Sequence, residues 1–244
     1  MAARISRRNF LALTAVALAT PWMRMAGADR ISAVPADLDH ILLGVSDLDH
    51  GIAWFEQRSG IRAVPGGVHP GRATRNALLA LGPRRYLEII APDPQQAGSA
   101  ASREWWAARL TSIQEPRILG WAAHTDDLAA LAKSAAAADL AIEPVRDGSR
   151  SRPDGKVLRW KSFGLSDDRN GLLPFFIEWS RDSVHPSQDA PTGCKLLQFF
   201  GESPSAGQLA GEAAKLGLGF DVRQGKAPLL HARILGRKGE FELT

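Results

Sequence analysis

Cysteine is nearly absent from this chain: Cys194 is the single example in 244 residues. That excludes an intramolecular disulfide and a zinc site built from several thiolates. Short signatures of common cofactor and nucleophile sites are also missing. The sequence holds no P-loop, no dinucleotide-binding glycine fingerprint, no G-x-S-x-G elbow and no H-E-x-x-H pair. The apolar stretch within residues 10–20 is too short for a comfortable membrane span. Basic excess disappears once the N-terminus is set apart. The whole chain carries a formal +4, but residues 1–28 contain Arg4, Arg7, Arg8 and Arg24 and no acid, so their removal brings the balance to zero. A basic surface for nucleic acid is therefore not supported.

Those first residues read as an address. SRRNFLALTAVALAT sets Arg7-Arg8 in an S-R-R-x-F-L context ahead of the apolar stretch, and MAGAD offers a small-residue cleavage site after Ala28. This is the pattern of a twin-arginine export signal, residues 1–28. It predicts the twin-arginine export machinery as a partner, a periplasmic or otherwise exported location, and no stable membrane span after cleavage. A disordered basic tail and an uncleaved anchor are the competing readings. Twin-arginine export carries folded proteins, so a metal or cofactor can be taken up before export.

After a tether at 29–37, one order of elements recurs. Residues 38–92 read as strand, helix, strand, strand, strand. LDHILLG is the first strand, a helix capped by Asp47 or Ser46 follows and ends at Gly60, and NALLALG and RYLEIIAP form the last two strands. A linker helix in REWWAARL occupies 93–116. Residues 117–186 repeat the order, from RILGWAAHT through LPFFIEWS, and 187–244 repeat it again in degenerate form. The expected class is α+β, built of βαβββ modules. Such a unit leaves its sheet half covered and pairs with a second copy. An odd third module has three uses: to cap, to lengthen the sheet, or to pair across a homodimer. Aligning Ser46-Asp47-Leu48 with Asp126-Asp127-Leu128 sets His40 opposite Gly120, while the closing strands align on Glu88, Glu178 and Glu242.

The segments LDHILLGVSDLDHGIAWFE, HPGRATRNALLALGPRRYLEIIAPDP, GWAAHTDDL, RPDGKVLRW and LPFFIEW…HP together resemble the vicinal-oxygen-chelate superfamily, in its glyoxalase-like branch. The resemblance covers residues 38–186. It implies two modules paired into a cup-shaped mixed sheet around a metal or ligand site.

Alternation along a strand puts His40 on one face with Leu38, Leu42 and Gly44, and gives Asp39, Ile41, Leu43 and Val45 to the helix side. His40 should then point into the cup. Glu88 shares a face with Tyr86 and Ile90, and Glu178 with Phe176 and Ser180. A carboxylate within YLEII or FFIEW is costly to bury unpaired. Two of them and an inward imidazole call for a shared divalent cation. The resemblance implies the same set, His40, Glu88 and Glu178, with either glutamate able to leave the metal as a catalytic proton shuttle. The second histidine of the superfamily pattern is missing, since Gly120 takes its place; His124 lies about 13 Å further along the strand. With water, three ligands suit Mn²⁺, Fe²⁺, Ni²⁺ or a catalytic Zn²⁺. Against this stands the simpler reading of His40 as a hydrogen-bonded structural residue. Glu242 shows that a closing-strand glutamate persists without a histidine partner, Leu197 being opposite it.

Rim loops carry further candidates for substrate binding: His69 and Asn76 in HPGRATRN, Arg150, Arg152 and Trp160 in GSRSRPDGKVLRW, and His185 in WSRDSVHP; His124, on its strand, is a further one. Arginines there suit a carboxylate or enediolate-like anion. Three functions follow. The first is a metal-dependent lyase or isomerase that chelates neighbouring oxygens of a small substrate and stabilises an enolate-like anion. The second is a metal-free protein that sequesters a small molecule in the same cup. The third is an extradiol-type dioxygenase, which would require two histidines and a carboxylate.

Overall fold

The first strand, β1 (Leu38–Gly44), runs straight into a well-capped helix. Asp47 accepts a hydrogen bond from the His50 N–H at 2.8 Å, and α1 (Leu48–Ser59) ends at Gly60, whose φ of 73° lets its N–H reach the Glu56 carbonyl. Leu48, Ile52 and Phe55 form the helix's buried stripe. This is a computed structural model; it describes residues 34–100, 105–152 and 155–244. The export signal and Asp154 of the Pro-Asp-Gly turn lie outside the described residues.

β2 (Val64–His69), β3 (Thr74–Gly82) and β4 (Arg85–Pro92) complete the first module, and β4 returns parallel to β1. After α2 (Trp105–Thr111) the pattern repeats as β5 (Arg117–His124), α3 (Leu128–Ala137), β6 (Arg146–Ser151), β7 (Val157–Phe163) and β8 (Phe175–Trp179). There β8 returns parallel to β5. Antiparallel pairing of β1 with β5 joins the modules into one eight-stranded sheet of order β2-β3-β4-β1-β5-β8-β7-β6. The sheet curls until its edges nearly meet. A Cβ built on Gly67 of β2 would stand 2.7 Å from the Ser151 carbonyl oxygen of β6, so only glycine permits this approach. The α+β cup is as the repeat and the resemblance imply.

The last repeat keeps the order of elements but not their pairing. β9 (Lys195–Ser203), α4 (Ala206–Lys215), β10 (Asp221–Gln224), β11 (Leu229–Gly236) and β12 (Gly239–Leu243) form a separate sheet of order β10-β9-β11-β12. Here β10 lies directly beside β9 and β11 takes its other edge, so no slot remains for β12 to return beside β9. This sheet packs against the helix side of the large one. Trp121 of β5 stacks within 5.5 Å of Phe199 and 5.0 Å of Phe220, its indole N–H donates to the Leu172 carbonyl at 3.0 Å, and Phe55 meets Phe241 at 5.6 Å. The module therefore backs the cup rather than capping its mouth.

One local departure matters for the site. The β1–β5 register slips between Leu38 and His40, a bulge that leaves Asp39 without a partner on β5. Strict alternation assigns Leu38 to the cup and Asp39 to the helix. The bulge exchanges them: Leu38 joins Ile41 and Leu43 in the main core, while the Asp39 carboxylate turns to the His40 ring.

Because Trp121 ties both sheets together, Trp121→Ala is expected to destabilise the fold by about 3–5 kcal/mol in denaturant unfolding. Trp121→Phe, which loses mainly the indole hydrogen bond and some packing, should cost less than half as much.

Candidate functional site

The cup encloses a cavity of about 580 Å³. The first module and β6 supply a polar wall of His40, His69, Asn76, Glu88 and Arg150. The second module supplies Trp160, Phe175, Ile177 and Trp179, and also the charged Glu143, Arg146, Asp147 and Asp168.

Asn76, on β3, organises the polar wall. Its Oδ1 accepts from Arg150 Nη1 at 3.1 Å, which fixes the orientation of the amide. Its Nδ2 then donates to Glu88 Oε1 at 2.7 Å and lies 3.3 Å from His69 Nε2. Because Nδ2 is a donor, His69 Nε2 accepts, and the Nδ1–H donates to Thr74 Oγ1 at 2.8 Å. The ring is neutral in this arrangement. Burial, the main cause, lowers its pKa from 6.5 to about 4. Burial on its own would raise Glu88, but the His40 and His69 rings, the Asn76 bond and Arg150 outweigh it and hold the carboxyl below its usual range.

His40 lies between two carboxylates. Its Nδ1 is 2.7 Å from Asp39 Oδ1, and its Nε2 faces Glu88 Oε2 at 3.4 Å. Tyr86 stacks on the ring at 4.5 Å and Phe175 meets its edge at 5.4 Å, which fixes the ring plane. Asp39 is wholly buried. Its Oδ2 accepts from Trp179 Nε1 at 3.0 Å and pairs with His185 Nε2 at 3.1 Å. The Ser187 N–H donates to His185 Nδ1 at 3.2 Å, so the proton of a neutral His185 is on Nε2 and points at Asp39. Burial would raise the Asp39 pKa, yet the bonds from His185 and His40 hold it well below the carboxylate range. Asp39 is thus a fixed anion that keeps His40 Nδ1 as donor and leaves Nε2 to the cavity.

Three expected residues lie elsewhere. Glu178 points to the helix side, where its Oε2 accepts from the Leu128 N–H at 2.8 Å and caps α3. The cause is register. Val45 N–H donates to the Ile90 carbonyl and Thr125 N–H to that of Ile177, with Leu42 opposite Glu88 and Ala122 opposite Phe175. Phe175, not Glu178, is therefore the structural equivalent of Glu88, as Gly120 is of His40. The alignment on glutamates is off by three residues. His124 does not line the cavity; its backbone N–H binds the Asp37 carbonyl. Arg152 lies past the end of β6 and pairs with Asp189. His69, Asn76 and Trp160 do line the cavity, while His185 supports it from behind Asp39.

Sequence reasoning misplaced Asp39, and of the two arginines it named in GSRSRPDGKVLRW it chose Arg152 over Arg150. A bulge leaves no sign in a strand's composition, so Asp39 was not readable. Arg150 was: in SRSRPDG it is the last strand residue on the inward side, whereas Arg152 already belongs to the turn.

The residues present do not fit the expected metal. Only His40 and Glu88 of the three ligands converge, and the second module offers Gly120 and Phe175. His69 Nε2 is 3.6 Å from Glu88 Oε1, but an amide donor already serves both, and a guanidinium stands behind it. Among the described residues no three His, Cys, Asp or Glu side chains are grouped to hold a metal ion.

A family model described as a glyoxalase-like domain matches residues 38–217. The chain belongs to that family. Among solved structures, a hypothetical protein from Staphylococcus aureus aligns over 86% of this chain and 85% of its own, with 16% identity and a TM-score of 0.59. Methylmalonyl-CoA epimerase from Mycobacterium tuberculosis aligns over 59% of this chain and 86% of its own, at 20% identity and a TM-score of 0.42. The Streptomyces coelicolor methylmalonyl-CoA epimerase in complex with 2-nitronate-propionyl-CoA covers 61% and 97%, at 18% and 0.42. With the Staphylococcus aureus protein the likeness is one of fold. No curated protein matches the chain.

Two outcomes follow from the site. His69 is neutral when folded but takes a proton near its ordinary pKa when unfolded, so the unfolded state binds more protons between about pH 6.5 and 4. Stability should fall as pH drops through that window, by up to about 1.4 kcal/mol per pH unit. His69→Gln should flatten that slope in urea titrations. The contributions of Asp39 and Glu88, whose folded pKa values are depressed, are present above about pH 4 and are lost only below it. Secondly, Glu178→Gln should cost only about 0.5–1 kcal/mol, as loss of charge at a helix N-terminus does, and should leave ligand binding unchanged.

Proposed function

We propose that this protein is an exported enzyme of isomerase or lyase type that moves a proton at a carbon next to a carbonyl group, with His40 as the base. The observation that carries this reading is the Asp39–His40 pair, with Nδ1 held at 2.7 Å and Nε2 turned into the cavity beside Glu88. A neutral imidazole so held presents a lone pair to a bound substrate. On taking a proton it becomes a cation flanked by two carboxylates, which favours the transfer. Arg150, on the same wall, supplies positive charge for the enolate-like oxygen that develops. The protonated imidazole then returns the proton. Trp179 and His185 hold Asp39 in place and so act as positioning residues. Export rests on the Arg7-Arg8 context alone.

A metal-dependent version of this chemistry has His40 and Glu88 in its favour and lacks the remaining donors. Sequestration without chemistry is favoured by the apolar replacements Gly120 and Phe175.

Deuterium uptake separates the three. Phenylpyruvate, 2-oxobutyrate and dihydroxyacetone would each be incubated with the protein in D₂O and followed by proton NMR. Catalysed loss of the C–H signal next to the carbonyl is expected for at least one. His40→Gln should slow it by about 10²–10⁴-fold, and Asp39→Asn should reduce it through loss of the Nδ1 anchor. Exchange that persists in His40→Gln would overturn the assignment. One equivalent of bound Mn²⁺ or Zn²⁺ per chain, lost in His40→Ala, would move the reading to the metal enzyme. A raised melting temperature without exchange would leave the binder.

A further inference from the structure

Arg150 has a feature that proton transfer by His40 does not require. The residue is 4% exposed and lines the cavity, yet no carboxylate lies within salt-bridge distance among the described residues. Among the described residues its one side-chain hydrogen bond runs from Nη1 to a neutral amide, Asn76 Oδ1, at 3.1 Å. A guanidinium carries five N–H donors in a rigid fork, and one buried without a direct anion is costly. The nearest negative charge, Glu88, is reached only through the Asn76 amide. The remaining donors are not sealed against protein, since no atom of Arg150 is among the buried unpaired ones.

The position is built rather than incidental. A Cβ on Gly66 would fall 2.2 Å from Arg150 Nη1 and 2.4 Å from Asn76 Oδ1, and one on Gly67 would crowd the Arg150 stem at 3.2 Å. Two consecutive glycines of β2 thus open the slot in which the arginine lies across from its own strand. On the adjoining strands, Trp160 of β7 and Trp179 of β8 meet at 5.4 Å, and Trp160 lies against Gly148 of β6, where a Cβ would come within 2.3 Å of the indole. A cavity of about 580 Å³ suits a small molecule.

We infer that Arg150 is the anchor for a substrate carboxylate, and that the substrate class is a small monocarboxylate with an aromatic or branched apolar tail lying against Trp160, Phe175 and Trp179. A carboxylate completes the fork with two parallel N–H bonds. The inference rests on the proton-transfer reading and deepens it by naming what the cavity holds: the guanidinium that faces the enolate-like oxygen also takes the adjoining carboxylate, while His40 alone moves the proton, so anchor and transfer fail separately.

Calorimetric titration of the whole chain with phenylpyruvate and with its neutral counterpart 1-phenyl-2-propanone tests it. The acid should bind about 10- to 100-fold tighter than the ketone, the worth of a charge-assisted bond. Arg150→Gln should bring the two within about threefold, largely by weakening the acid, and Arg150→Lys, which keeps charge without the fork, should fall between. His40→Gln should keep the preference for the acid while losing deuterium exchange, so loss of chemistry with retained preference would sink only the proton-transfer reading. Equal binding of acid and ketone by the unaltered protein overturns the anchor, and so does absence of binding by both or an undiminished preference in a folded Arg150→Gln. Should Arg150→Gln not fold, the comparison within the unaltered protein and Arg150→Lys decides.

Discussion

A carboxylate taken wholly out of water must be met by hydrogen bonds or by opposite charge, and Asp39 is met three times. Trp179 and His185 serve one oxygen and His40 the other. These partners come from β1, from β8 and from the loop after β8, so one buried anion links the two halves of the cup. It also fixes which nitrogen of His40 faces the cavity. The rest of the polar wall follows from that ring: Glu88 stands at its free nitrogen, Asn76 holds Glu88, and Arg150 holds Asn76. Each member is oriented by the next, and a chain of this kind in a low-dielectric wall is preorganised at little cost to the reacting state.

The two modules share a backbone plan but not a chemistry. At the equivalent places the first carries an imidazole and a carboxylate, the second a glycine and a phenyl ring. The cavity shows the difference: an imidazole and a carboxylate face it from the first module, and a phenyl ring stands where the second would have brought its carboxylate. The third repeat has left the common pairing and spends its sheet on backing the cup, where Trp121, Phe199 and Phe220 form its contact with β5. A cup backed in this way keeps its open face for ligand, and its helix side is covered within a single chain.

Much of the fold was legible because its signals are local. Asp47 and Gly60 mark the ends of α1 in the chain itself, and the repeated order of strand, helix and three strands needs only periodicity and turn residues. His40, Glu88, His69 and Asn76 were legible for a related reason: each is polar within an apolar run or a glycine-rich rim. Glu178 misled because the repeat was aligned on residue type, whereas backbone hydrogen bonds match Glu88 to Phe175. A shift of one residue along a strand reverses the face, and three residues do the same.

By itself the sequence determined the modules, the caps of the first helix, the order of elements within the first two repeats, the inward direction of His40, and the absence of an intramolecular disulfide. These depend on neighbours along the chain, whose geometry is set by covalent spacing. The tertiary structure alone decided that Asp39 turns to His40, that Glu178 caps a helix, that Arg150 rather than Arg152 enters the cavity, and that the third repeat pairs differently. Each of those depends on a bulge, a register or an edge contact between distant strands, and such pairings are chosen by packing and hydrogen-bond satisfaction over the whole fold, which no local pattern encodes.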